Sequence, residues 1–271
     1  MHRYSVEEFM LKQRVITGVF GLIVLLGILF FLPQEVFRLI LALVFTFAGW
    51  EWARMVNSAS IFSQVIFVFL LMISILFIQS YEPSFIQIQA ILASSILWWI
   101  ICLLCLFAYP ISFGNIFSWL FGLISLSSSY IAMDWLFIQS VSYFLVFLVF
   151  IWVMDIGAFF IGKRFGRVKL ANSISPNKTW EGLFGGLVSM TILSVLFSQV
   201  YGIDKTVMIP FILALGLLSV VGDLTISMFK RNAGLKDSGR LFPGHGGLLD
   251  RIDSIISSIS LYALACSIYL F

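Results

Sequence analysis

The sequence predicts an all-α, polytopic membrane protein of about nine transmembrane helices, with its N-terminus cytoplasmic and its C-terminus outside. Three observations predict it. Hydrophobic residues make up 61% of the 271 positions and charged residues only 11%, whereas soluble chains carry about 25% charged residues. The apolar runs are long and lack the period-two alternation of a membrane barrel, so their backbone groups must be satisfied within helices. Finally, the basic residues fall almost entirely on one side of the membrane once the runs are threaded in order.

The runs lie at 15–32, 36–52, 61–80, 88–109, 116–133, 141–161, 183–201, 207–229 and 252–271. Pro33, Pro83 and Pro110 fall between them, where a missing N–H does little harm. No small-residue cleavage site follows the first run, so it is expected to be retained. Threading puts the N-terminus and the loops after runs two, four, six and eight on one side. That side holds Arg3, Lys12, Arg14, Arg54, Lys163, Arg164, Arg167, Lys169, Lys178, Lys230, Arg231, Lys236, Arg240 and Arg251; the other holds only Arg38 and Lys205. The positive-inside rule makes the basic side cytoplasmic. A net charge of +3 is too small to imply a nucleic-acid partner. Cys102 and Cys105 form a CxxC, but it sits between Trp99-Ile100 and Leu106-Phe107 with no partner motif, and reads as two small apolar residues.

The chain divides functionally. Residues 1–150 are transmembrane helices, runs one to five and the start of six, with Arg38, Glu51, Arg54, Glu82 and Asp134 at or near run ends. Residues 151–271 collect the charge and the glycines, and form the expected catalytic region.

Ionisable residues inside a span cost roughly 2.5–3.5 kcal/mol each on insertion scales, so they are functional candidates. Asp155 and Asp223 are two such acids. Asp223, Ser227 and Lys230 follow one another at i, i+4 and i+7, on one helix face. Asp250 and Asp253 stand where the last helix begins; a capping role in the first turn is the plain reading of Asp253. The turn Gly244-His245-Gly246-Gly247 precedes them, and such glycines can let backbone N–H groups approach a phosphate. Between the two helices run Lys230, Arg231, Lys236, Asp237 and Arg240. Carboxylates on a helix pair, cations around them and a glycine turn are the parts of a Mg²⁺–nucleotide site. The loop after run six adds Ser175, Lys178 and Thr179 as phosphate donors. Ser175 and Lys178 also make an SxxK, without the companion motifs of an acylating serine. His245 is a candidate phosphate donor.

Residues 227–253, SMFKRNAGLKDSGRLFPGHGGLLDRID, resemble the signature of the phosphatidate cytidylyltransferases (CDP-diacylglycerol synthases). The matching positions include Lys230-Arg231, Lys236-Asp237, His245-Gly246-Gly247 and Asp250-Arg251-Ile252-Asp253. Asp155-Ile156-Gly157-Ala158-Phe159-Phe160 and Ser175-Pro176-Asn177-Lys178-Thr179-Trp180-Glu181-Gly182 are similar to that family's upstream block, and Trp50-Glu51-Trp52-Ala53-Arg54 matches weakly. The resemblance implies CTP and phosphatidic acid as substrates, giving CDP-diacylglycerol and pyrophosphate. It implies Mg²⁺ held by Asp223 and Asp250, leaves open a second cation, and suggests a homodimer. Lys236, Asp237 and Asp253 join the two metal acids as expected catalytic residues. Ser175, Lys178, Thr179, Ser227, Lys230, Arg231, His245, Gly246, Gly247 and Arg251 are the expected substrate contacts. The expected location is the cell inner membrane, with membrane lipid as surroundings and the site facing the cytoplasm. Two alternatives stand beside this one: a cation-coupled transporter, for which paired interrupted helices in matching halves are lacking, and an enzyme using the same site on a polyprenol or another isoprenoid lipid.

Overall fold

The computed structural model describes residues 18, 21–56, 60–81, 83–111, 113–239, 241 and 246–269. Over these the chain is almost wholly helical. A short apolar helix α1 (Gly21–Phe31) covers the described part of the first expected span. It is followed by α2 (Gln34–Val56), α3 (Ile61–Tyr81), α4 (Phe85–Phe107), α5 (Asn115–Gln139) and α6 (Val141–Phe165), then α7 (Trp180–Tyr201), α8 (Lys205–Asn232) and α9 (Leu249–Tyr269). Among the described residues, the eight from α2 onward are long and apolar enough to cross a membrane. Each contains most of its expected run. The residues the runs missed are polar ends such as Lys205, Lys230 and Asn232, which helix geometry tolerates at the membrane surface.

Hydropathy tracks position in the bundle. The peripheral helices α3 and α4 have mean hydropathies of 2.8 and 2.5, while the most buried, α5 and α9, fall to 1.5 and 1.4. Helices facing lipid must be apolar all round; helices facing other helices can use small polar side chains as glue. The serines of α5 and α9 do so. Ser95 Oγ on α4 meets Ser128 Oγ at 3.0 Å and Ser260 Oγ at 2.9 Å, and Ser129 Oγ donates to the Ile256 carbonyl at 2.6 Å. α9 is thus ringed by α4, α5, α6 and α8. At Gly222 a Cβ would run into Ser257 and the Asp253 carbonyl, so α8 and α9 meet closely just where Asp223 needs to face Asp253.

One feature departs from the all-α expectation. The loop after α6 folds into a small antiparallel hairpin, β1 (Lys169–Ala171) and β2 (Ser175–Thr179), paired Lys169↔Thr179 and Ala171↔Ser175. Strands this short, one of them containing Pro176 and Asn177, carry little sequence signal. Their pairing is made by the chain doubling back between α6 and α7. The hairpin lies at the end of the bundle formed by the C-termini of α2, α6 and α8 and the N-termini of α7 and α9. Arg231 on α8 ties it down, its Nε donating to the Ile174 carbonyl at 3.0 Å. At the opposite end Arg38 and Asp134 form a two-pronged ion pair, 2.9 Å on each side, joining α2 to α5.

Candidate active site

The hairpin roofs a cavity of about 540 Å³ between α6, α7 and α8. Asp155, Ser175, Asn177, Lys178, Thr179 and Asp223 line its polar side; Met154, Phe159, Leu183 and Val220 line its apolar side. Helix α6 supplies Asp155 and α8 supplies Asp223. β2 extends the chain so that Lys178 reaches between them and pairs with the Asp223 carboxylate. Asp253, buried at the start of α9, adjoins the same group. Burial alone would lower the Lys178 pKa, but the charges of Asp223, Asp253 and Asp155 outweigh it and hold the ammonium above the ordinary lysine value. A cation surrounded by three carboxylates is the core of this site.

Beside it lies a second set of interactions. Lys230 Nζ donates to Asp250 Oδ1 at 2.7 Å, an ion pair buried on both sides. The other oxygen, Asp250 Oδ2, accepts the backbone N–H groups of Ser238 and Gly247, each at 2.9 Å. Glu51, buried near the end of α2, accepts from Ser238 Oγ at 2.9 Å, Leu248 N at 3.1 Å and Leu249 N at 2.8 Å.

These positions alter several expected roles. Asp155, a functional candidate by its place inside a span, lines the cavity directly. Asp250 does not line this cavity, and its oxygens carry three protein donors. The Gly247 N–H donates to Asp250 and those of Leu248 and Leu249 to Glu51, not outward to a phosphate. Thr179 is buried, its Oγ1 accepting from Gly182 N at 3.1 Å as the N-cap of α7. Arg231 is occupied by the carbonyls of Ile174 and Leu235, each at 3.0 Å. Ser227 Oγ donates to Asp223 Oδ1 at 3.4 Å and is buried. Lys236, Asp237 and Arg251 are exposed. Gly246 adopts φ 86°, a left-handed turn residue beside the Asp250 carboxylate. His245 and Arg240 lie outside the described residues. Sequence reasoning singled out neither Asn177 as a cavity residue nor Glu51 as a site residue; the signals for the latter were a carboxylate within an apolar run and the weak match at Trp50–Arg54.

Among the described residues, no group of three His, Cys, Asp or Glu side chains is arranged to enclose a metal ion. The donor set nevertheless suits one: Asp155 and Asp223 offer hard oxygen ligands to the cavity, and Mg²⁺ is commonly held by one or two carboxylates with substrate phosphates completing its shell.

Comparison with known proteins gives a consistent result. Residues 12–269 match the Cytidylyltransferase family. The chain is 35% identical over 265 residues to the phosphatidate cytidylyltransferase of Pseudomonas aeruginosa, covering 94% of this chain and 96% of that one. It is 32% identical to the enzyme of the same name from Haemophilus influenzae, over 94% and 98% of the two chains. Identity to that of Bacillus subtilis is 34%, over 91% and 94%.

Proposed function

The chain belongs to the cytidylyltransferase family, and from that premise we propose that it transfers CMP from CTP to phosphatidic acid at the cytoplasmic face of the inner membrane, yielding CDP-diacylglycerol and pyrophosphate. The observation that carries this reading is the cavity itself: carboxylates and a lysine on one wall, apolar side chains on the other. Leu183 lines both this cavity and a groove of about 500 Å³ between α7 and α8, walled by Phe184, Leu187 and Leu213. A phospholipid can thus place its phosphate beside Lys178 and its chains along the groove, while the nucleotide arrives from water.

An oxygen of the phosphatidate phosphate attacks the α-phosphorus of CTP. A new P–O bond forms there and the bond to the β-phosphate oxygen breaks, releasing pyrophosphate. With a second pKa of about 6, a phosphomonoester is largely ionised at neutral pH. The protein therefore contributes positioning and charge neutralisation more than base catalysis. Lys178 would move from Asp223 to a phosphate oxygen, and Ser175 and Asn177, which line the same cavity, would hold the phosphates, with the exposed Lys236 and Arg251 as further cations. Mg²⁺, when bound, supplies charge neutralisation of the triphosphate, with Asp223 as its principal ligand and Asp155 and Asp253 in support. Asp250 joins it only by releasing Lys230, which would then be free to meet phosphate.

Purified protein in lipid nanodiscs, given CTP labelled at the α-phosphorus, tests the reading. Label is expected in lipid only when phosphatidate and Mg²⁺ are both present, with one pyrophosphate released per lipid labelled. Transfer from γ-labelled CTP would indicate a lipid kinase, and labelling of a polyprenyl phosphate but not of phosphatidate would indicate the other lipid class.

A further inference from the structure

We propose that Glu51 is a positioning residue for the reaction, by which the N-terminal half of the chain sets the geometry of the catalytic end. This rests on the reading of the site given above. Glu51 stands in α2, remote in sequence from every other residue of the site, and a carboxylate at such a buried position is costly unless fully bonded. It is fully bonded. Leu248 immediately precedes α9 and Leu249 opens it, where the helix cannot satisfy their N–H groups itself, and Glu51 takes both. A carboxylate there also complements the positive end of the helix dipole. Its third donor is the Ser238 hydroxyl.

Ser238 connects this cap to the site. Its hydroxyl is held by Glu51 and its backbone N–H by Asp250, so two carboxylates grip one residue from opposite sides. Asp250 in turn holds Lys230 on α8. One line of bonds thus runs from α2 through Ser238 to Asp250 and Lys230. The surroundings are shaped for it. A Cβ on Gly239 would collide with Glu51, and a Cβ on Gly247 would collide with both Ser238 and Glu51. The glycines of this loop therefore make room for a protein carboxylate. Trp52, the next residue, fixes the height of α2, its ring 4.7 Å from Phe229 of α8 and 5.4 Å from Phe121 of α5.

The test compares wild type with Glu51→Gln and Ser238→Ala in nanodiscs. Glu51→Gln keeps the size but turns an N–H₂ toward groups that themselves donate. Its kcat is expected to fall on the order of 10- to 100-fold, as misplacement of catalytic groups does, while the KM for CTP stays within about three-fold. Amide exchange over residues 246–252 is expected to quicken by roughly ten-fold, with α3, α4 and α5 unchanged. Ser238→Ala should show a smaller loss, and the double variant should be no slower than Glu51→Gln, since both act on one line of bonds. Wild-type kcat in Glu51→Gln would overturn the proposal. So would a lowered kcat with normal exchange at 246–252, faster exchange spread evenly through the bundle, or losses that multiply in the double variant. If the wild-type protein forms no CDP-diacylglycerol, the functional reading fails by itself; the exchange comparison still decides whether Glu51 holds the turn.

Discussion

Lys178 and Lys230 perform different tasks although both pair with an aspartate. Lys178 is half-buried at an open cavity; Lys230 is buried, ion-paired with Asp250 and within electrostatic reach of Asp223 and Asp253. Replacing Lys178 with Met should therefore reduce kcat by about 10²–10³, the loss seen when one preorganised charge-stabilising donor is removed, with the folded state intact by circular dichroism. Asp250→Ala should instead destabilise the protein by about 3 kcal/mol, because it removes the ion-pair partner of a buried ammonium. Adding Lys230→Met should recover most of that stability, measured by thermal unfolding in detergent, without recovering turnover. Restored turnover would remove Asp250 and Lys230 from the reaction. The sequence identified all of these residues as a group. Helical spacing set Asp223 and Lys230 on one face, and the structure pairs Asp223 with Lys178 because a hairpin brings the latter in from another loop.

At the scale of elements, the hairpin and α7 form one unit. Thr179 ends β2 and caps α7, so its hydroxyl joins the strand carrying Lys178 to the helix behind it. Thr179→Ala should cost about 1 kcal/mol, typical of a lost N-cap, visible as a lower unfolding midpoint. Thr179→Ser should restore it, whereas a phosphate-binding hydroxyl would show its loss in the KM for CTP. Helices were legible in the sequence because hydrocarbon permits few alternatives to them. The hairpin was not, since its strands are short and its residues are poor strand formers.

For the molecule as a whole, the basic residues of the described loops gather at the end that holds the cavity, and Lys205 lies at the other. We predict that Lys236→Cys reacts with an impermeant maleimide only from the cytoplasmic side and Lys205→Cys only from outside; labelling intact spheroplasts and inverted vesicles checks this, and a reversed pattern would overturn the orientation. Removing Mg²⁺ with a chelator should abolish turnover reversibly while leaving the unfolding midpoint unchanged. Lys178 already pairs with Asp223, and the helices are held by packing and serine bonds across α4, α5 and α9.

The sequence by itself determined the membrane-spanning class, the order of the helices and the family signature at residues 227–253. These follow from hydropathy, charge and local spacing, which act along the chain. The tertiary structure decided which carboxylate each cation meets, that Asp155 opens to the cavity, and that Glu51 of α2 caps α9. Those are contacts between residues far apart in the chain, and they depend on how closely helices approach, as at Gly222, Gly239 and Gly247. No spacing within one segment encodes that approach.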